Sequence, residues 1–287
     1  MTSAIAPQTP LVMETDLGHD ADDLFALLYF IAVRAPLAAI CLSPGDHYQV
    51  AIARAVLGHF GLQVPVLTPK AREVKAKDKP GFHAWVVREL GGVDVCEPDG
   101  HEELLPQGPV DVFVCGPARM AHLLSPASIT FQGGFVPYSI HRPRVTLDKF
   151  EGQESFGTFN LNGTKPAVQA SLIDADVPHR WVGKNVCHTI VYTPETHARY
   201  GSPSTSSEAL RLHTKFMARY LEKHREKAFH DPLAALLRSH PDLGVWLPLK
   251  PLRVRGAWTA VPADKNHLSL VDLVEEPWAR YFADFVV

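Results

Sequence analysis

Apolar and polar positions follow two different periods along the first quarter of the chain. Residues 11–15 (LVMET) are an apolar run that ends in polar residues, as a strand does when it leaves a core for a turn. Residues 22–34 are nearly all apolar, which suits a helix packed beneath a sheet, and Pro36 stops it. Residues 37–42 (LAAICL) have no polar face, so they predict a parallel strand covered on both sides. A Ser-Pro-Gly-Asp turn at 43–46 leads into an amphipathic helix over 47–60, closed by Gly61, and a short strand over 64–67. This β-α-β-α-β order predicts an open, mainly parallel α/β sheet with right-handed crossovers.

The same reading continues to the C-terminus. Residues 69–80 form a basic loop, read as solvated surface or as a flap over a site, and 81–90 a helix. Residues 109–115 (PVDVFVC) are a strand, followed by Gly116-Pro117, a helix over 118–124 and a strand over 129–132. Residues 136–158 show neither period, and a loop this long in a compact α/β protein is usually functional or disordered. A helix is expected over 165–173 with Thr164 as its cap, then short strands over 180–182 and 187–192. Long helices are expected over 206–224 and 231–239, the second with Pro232 in its first turn. The tail alternates over 246–254, 258–261 and 268–271, which predicts a small antiparallel annex. No repeat, linker or shift in composition divides residues 1–287, so one domain with helices on both faces of its sheet is expected.

Composition narrows the class. The chain of 287 residues is 46 % hydrophobic and carries a net charge of −3, which leaves no global basic field for nucleic acid or an anionic membrane. Its first ten residues lack the basic and apolar regions of a signal peptide, and the longest apolar run is about half a membrane span. The four cysteines (Cys41, Cys96, Cys115 and Cys187) are scattered, with no paired motif, which reads as a reduced cytoplasmic protein.

The chemistry concentrates where the first strand meets the first helix. Asp16, Asp20, Asp22 and Asp23 fall within eight positions, beside Gly18. Four carboxylates so close cannot all be desolvated and ionised, so either the loop is solvated or a hard cation sits among the oxygens. In open α/β sheets such a turn lies at the carboxyl edge, where ligands bind. Two further features fall at strand ends, the Gly116-Pro117 turn and His230-Asp231-Pro232. Asp231 alone is equally well read as a helix N-cap.

These residues resemble a known family. ETDLGHDADDLFAL at 14–27 is similar to the DTDPGxDDxxAL signature of the inosine–uridine-preferring nucleoside hydrolases. PGD at 44–46 stands where that family has AGN, GPARMAHLL at 116–124 resembles its GPLTNxA segment, and FQGGFV at 131–136 its MGG. FGTFNLNGTKPA at 156–167 resembles AEFN…DPEAA, and FHDPLAALL at 229–237 its HDP segment. The six segments occur in the family's order over about residues 10 to 240. The resemblance implies Ca²⁺-dependent hydrolysis of the N-glycosidic bond of a ribonucleoside or modified ribosyl compound. It implies that Asp16, Asp23, Asp231 and the backbone carbonyl of Arg119 hold the metal. Asp16 would also be general base for the attacking water, and His230 the acid that protonates the leaving base. Asp22, Asp46 and Asn160 would meet the sugar. The substrate would be a small molecule, and family members are commonly dimers or tetramers.

The departures are as specific as the matches. Glu14 stands where the family has its first Asp, the acidic loop is two residues longer, and Asp20 and His19 are additions. Pairing Asp22-Asp23 with the family's DD makes Leu24–Leu27 fit; pairing Asp20 instead would shift the ligand set. Asp46 replaces the AGN asparagine, Thr158 replaces the Glu before Phe-Asn, and Glu154 is the candidate substitute for that lost carboxylate. Two other readings stand beside the hydrolase. One is a Mg²⁺-dependent phosphoryl-transfer enzyme, because an acidic pair after a first strand suits Mg²⁺ and phosphate. The other is a non-catalytic ribosyl-ligand binding protein on the same scaffold.

Overall fold

The computed structural model describes residues 9–18, 20–70, 81–93, 95–201 and 207–286. The strands are β1 (Leu11–Thr15), β2 (Leu37–Leu42), β3 (Val66–Leu67), β4 (Pro109–Val114), β5 (Ser125–Gln132), β6 (His179–Val182), β7 (Val191–Tyr192), β8 (Lys227–Ala228), β9 (Gly244–Val254), β10 (Ala257–Pro262) and β11 (His267–Leu273). The helices are α1 (Asp22–Ala32), α2 (His47–His59), α3 (Phe82–Glu89), α4 (Phe159–Gly163), α5 (Pro166–Ile173), α6 (Lys184–Cys187), α7 (Pro194–Tyr200), α8 (Glu208–Leu221), α9 (His230–Ser239) and α10 (Trp278–Ala283). Nine strands form one sheet in the order β10-β9-β11-β6-β5-β4-β1-β2-β3, while β7 and β8 pair separately. From β11 to β3 every pair is parallel. The expected annex is present as β9, antiparallel to both β10 and β11, and it extends the main sheet instead of standing apart.

Strand alternation sorts β1 between the two faces. Leu11 and Met13 belong to the larger apolar cluster, with residues of α1, α2, α8 and α9. Val12 belongs to the other, with Val112, Val114, Met120, Leu161 and Leu172. By the same period Thr15 faces the α1 side and Glu14 the opposite one. That difference places the two polar residues in separate jobs. Glu14 is 1 % exposed and accepts the backbone N–H groups of Arg119 (2.5 Å), Met120 (2.8 Å) and Ala121 (2.7 Å). Burial raises its pKa while the three donors pull it down. A carboxylate in this position ties the end of β1 to the segment that follows β4.

Several local expectations are corrected. The helix over 118–124 is only a 3₁₀ turn at Ala121–Leu123, because Glu14 takes the N–H groups of 119–121 and β5 begins directly afterwards at Ser125. Residues 187–192 are not one strand: α6 ends at Cys187, and only Val191–Tyr192 pairs, with β8. Thr164 does not cap α5. Its hydroxyl donates to Asn160 O (2.7 Å) and accepts from Ala118 N (2.8 Å), closing α4 against the Gly116-Pro117 turn. Most of the basic loop at 69–80, and His19, lie outside the described residues. Among the described residues no helix is long and apolar enough to cross a membrane.

Replacing Glu14 tests the tie between β1 and the 119–121 turn. Glu14→Ala leaves three N–H groups facing an apolar cluster, and we expect it to lower unfolding free energy by at least about 3 kcal/mol. Urea unfolding followed by circular dichroism measures this. A loss below about 1 kcal/mol would show that the three hydrogen bonds are dispensable.

Candidate active site

The carboxyl ends of β1 and β4 and the first turns of α1 and α9 meet around one cavity of about 230 Å³. Asp16, Asp20, Asp22 and Asp23 reach it from the acidic turn, and His230 and Asp231 from α9. Cys115, Gln132, Gly133, Thr158, Phe159, Asn160, Lys184 and His188 complete the wall. Both helices point their N-terminal ends at this space, and that end of a helix carries partial positive charge. Close approach of β1 and β4 requires glycine after β4. A Cβ on Gly116 would stand 2.4 Å from the backbone nitrogen of Asp16 and 2.9 Å from Asp16 Oδ1.

The innermost groups are acidic and buried. One ligand atom each from Asp23, Cys115 and Asp231 lies within 4.8 Å of the others, and Asp16 lines the same cavity. Thr15, on the α1 face, donates its hydroxyl to Asp23 Oδ1 and accepts Leu17 N (3.1 Å). Cys115 Sγ also donates to Asp23 Oδ1, at 3.6 Å. Burial raises the pKa of Asp23 well above the carboxylate range, and the charges of Asp16 and Asp22 add to it. Asp231 is raised in the same way, first by burial and then by Asp22, Asp23 and Asp16. The N-cap of α9 is Phe229, and Asp231 lies inside the first turn, so the N-cap reading does not hold. The Cys115 thiol is held protonated, by burial and then by Asp231 and Asp23. Several buried carboxylates that repel one another, oriented by hydroxyl and thiol donors, fit an oxygen-binding divalent cation, which would let all of them ionise.

A second charge system lies beside the first. The Lys227 side chain is 5 % exposed, and its Nζ contacts Asp20 Oδ2 (2.9 Å) and Asp22 Oδ1 (3.2 Å). His230 Nδ1 lies 3.3 Å from Asp22 Oδ2. Burial alone would raise the Asp22 carboxyl, but Lys227 and His230 outweigh it and hold Asp22 ionised. Burial would likewise lower the Lys227 ammonium, and Asp22 and Asp20 more than reverse that. The added Asp20 therefore has a structural partner, since Lys227 lies between it and Asp22. The other ring nitrogen of His230, Nε2, is buried without a hydrogen-bond partner, and the ring packs on His188 with centroids 4.2 Å apart. Burial drives the pKa of His188 down, with His230 and Lys149 adding to the effect.

The nine site residues singled out in the sequence fall into two groups here. Asp16, Asp22, Asp23, Asn160, His230 and Asp231 share the cavity, Asn160 held by its Nδ2 donating to Gln132 O (3.0 Å) and Oε1 (2.7 Å). Arg119 does not line it, and its backbone N–H is bound to Glu14. Two others also lie elsewhere. Asp46 is the N-cap of α2, accepting Gln49 N at 2.9 Å in a reciprocal capping box. Glu154 is on the exposed loop, where Ser139 donates to it at 2.8 Å. Lys227, Cys115, Lys184 and His188 were not singled out. For Lys184 and His188 the available signal was their spacing of four, which puts two residues on one face of a helical turn.

No protein-family model matches the chain, and no curated protein is significantly similar to it in sequence. Solved structures are similar in fold. An inosine–uridine-preferring nucleoside hydrolase from Bacillus anthracis superposes with a TM-score of 0.68 at 12 % identity, covering 97 % of this chain and 99 % of its own. The plant nucleoside hydrolase PpNRh1 gives 0.66 at 16 % identity, covering 98 % of each chain. The type III effector XopQ, solved in complex with adenosine diphosphate ribose, gives 0.57 at 16 % identity, covering 98 % of this chain and 94 % of its own. The chain therefore has the nucleoside hydrolase fold over nearly its whole length.

The Lys227 bridge can be tested directly. Lys227→Met leaves Asp20 and Asp22 without their buried cation, and we expect a stability loss of about 3–5 kcal/mol. In the double variant Lys227→Met/Asp22→Asn most of that loss should return, measured by thermal and urea unfolding. Additive losses in the double variant would refute the bridge.

Proposed function

We propose that this chain is a divergent nucleoside hydrolase, a metal-dependent enzyme that cleaves the N-glycosidic bond of a ribosyl compound. The observation that carries this reading is the convergence of buried Asp16, Asp23 and Asp231 with His230 on one cavity. Asp16, Asp23 and Asp231 would hold the cation, with Ca²⁺ the preferred ion because hard oxygen donors dominate the set. Bound there, Ca²⁺ would polarise the attacking water as a Lewis acid.

The remaining chemistry belongs to the protein. Cleavage of the C1′–N bond develops positive charge on the sugar, as in O-glycoside hydrolysis, and carboxylates around the cavity favour that charge. Asp16 accepts a proton from the water as its oxygen bonds to C1′. His230 delivers a proton through Nε2 to the departing base nitrogen, while Asp22 on Nδ1 steadies the imidazolium that donates it. Asn160, oriented by Gln132, would hold a sugar hydroxyl. The products are free base and ribose, or its derivative.

One observation favours a second reading, a ribosyl-ligand binding protein. Asp22, expected to grip ribose hydroxyls, is already bridged by Lys227 and His230. The two readings separate in one assay. Purified protein with Ca²⁺ is incubated with purine and pyrimidine nucleosides, nucleotides and adenosine diphosphate ribose, and base release is followed by chromatography. Cleavage of at least one compound, abolished by chelation and restored by Ca²⁺, is the expected outcome. Asp16→Ala should lower kcat by at least about a hundredfold, the usual contribution of a positioned base. Ligand binding without turnover of any compound would replace the hydrolase by the binder.

A further inference from the structure

The cavity has a side that neither the metal cluster nor the acid–base pair uses. Thr158 is buried at 4 % exposure, lines the cavity, and its Oγ1 has no hydrogen-bond partner. It stands where the resembling family carries a glutamate. Next to it, Lys184 lines the cavity and donates from Nζ to Gly157 O at 3.0 Å. One turn on, His188 N bonds to Lys184 O at 3.2 Å, so the two side chains rise from the same face. Lys149 Nζ lies 3.0 Å from His188 Nδ1. Among the described residues no carboxylate pairs with Lys184 or Lys149. The ammonium of Lys184 is half-buried and rests on the ring of Phe156 at 4.9 Å.

We infer that Lys184, Lys149 and Thr158 form a phosphate subsite, and that the compound bound in this cavity is a phosphorylated ribosyl compound. This rests on the proposed reading of the cavity as a ribosyl site. The chemistry is specific in three ways. A phosphate oxygen needs donors, and the subsite offers two ammonium groups, each on a neutral acceptor and not on a carboxylate, and a hydroxyl with no partner. A half-buried lysine with only a carbonyl for a partner retains donors for an anion. Replacement of a glutamate by threonine removes the negative charge that would repel a phosphate there. His188, held neutral by its surroundings, bridges Lys149 to the cavity without adding charge. Adenosine diphosphate ribose and nucleoside 5′-monophosphates both present this chemistry.

The test uses binding as well as turnover. Ribose and ribose 5-phosphate are titrated into the Ca²⁺-supplemented protein by calorimetry. Ribose 5-phosphate should bind at least about tenfold more tightly, the effect of one or two charge-assisted hydrogen bonds. Lys184→Met and Thr158→Glu should each remove that preference while leaving ribose binding within about twofold, and their thermal unfolding should match wild type. Equal binding of the two sugars, no detectable binding of ribose 5-phosphate, or equal weakening of both sugars in Lys184→Met would overturn the subsite. Turnover separates this inference from the one it rests on. Cleavage of nucleosides unaffected by a 5′-phosphate sinks the subsite and leaves the hydrolase. Lysine-dependent binding of ribose 5-phosphate with no cleavage of any compound keeps the subsite and removes the hydrolase. Comparing a nucleoside 5′-monophosphate with adenosine diphosphate ribose then tells a terminal phosphate from a bridging diphosphate.

Discussion

Mutual repulsion among buried carboxylates is the constraint around which this fold is arranged. Asp16, Asp22, Asp23 and Asp231 share one small cavity, and each is at most 6 % exposed, so solvent screens them weakly. The chain answers with three devices. Helix N-termini face the cluster, Thr15 and Cys115 donate to Asp23, and Lys227 enters between Asp20 and Asp22. What these leave uncompensated is centred on Asp23 and Asp231, and there a divalent cation is chemically apt. The protein thus separates its acids into a set neutralised by its own lysine and a set whose repulsion that lysine does not outweigh.

Strand register enforces that separation. Because side chains alternate, Thr15 and Glu14 face opposite sides of β1, although they are neighbours. One orients a carboxylate of the buried acidic cluster. The other holds the 119–121 turn through three amide bonds. A shift of one residue would exchange these partners and place Glu14 in the acidic cluster. The extra carbon of Glu14, relative to the family's aspartate, belongs to this anchoring role and not to metal binding.

The framework was largely legible because it depends on local periodicity. The acidic turn, the apolar run of α1 and the face-less β2 each announce their positions within a few residues. The family segments also placed six of the site residues in one cavity. Elements whose conformation is decided by distant partners were not legible. Residues 118–124 have helical composition, but Glu14, over a hundred positions earlier, captures their amides. Residues 187–192 look like a strand by composition, and only the end of the run finds one to pair with. Asp46 resembles a ligand because it follows a strand, yet it fulfils the capping preference of its residue type. Lys227 carried no signal at all. Its meaning comes from Asp20 and Asp22, and nothing nearby in the chain indicates them.

That separation has a consequence for how the molecule is made. The contact between Asp20 and Lys227 spans 207 residues of sequence. During synthesis the acidic turn emerges early and remains a patch of self-repelling charge for most of the chain's length. Its counter-charge and its last carboxylate arrive together, on the short stretch from Lys227 to Asp231. Closing so long a loop is entropically slow, so the site should be among the last features to mature. Any product ending before that stretch would keep much of the sheet's sequence and none of the completed site. The site is thus completed only when two segments separated by 207 positions have met.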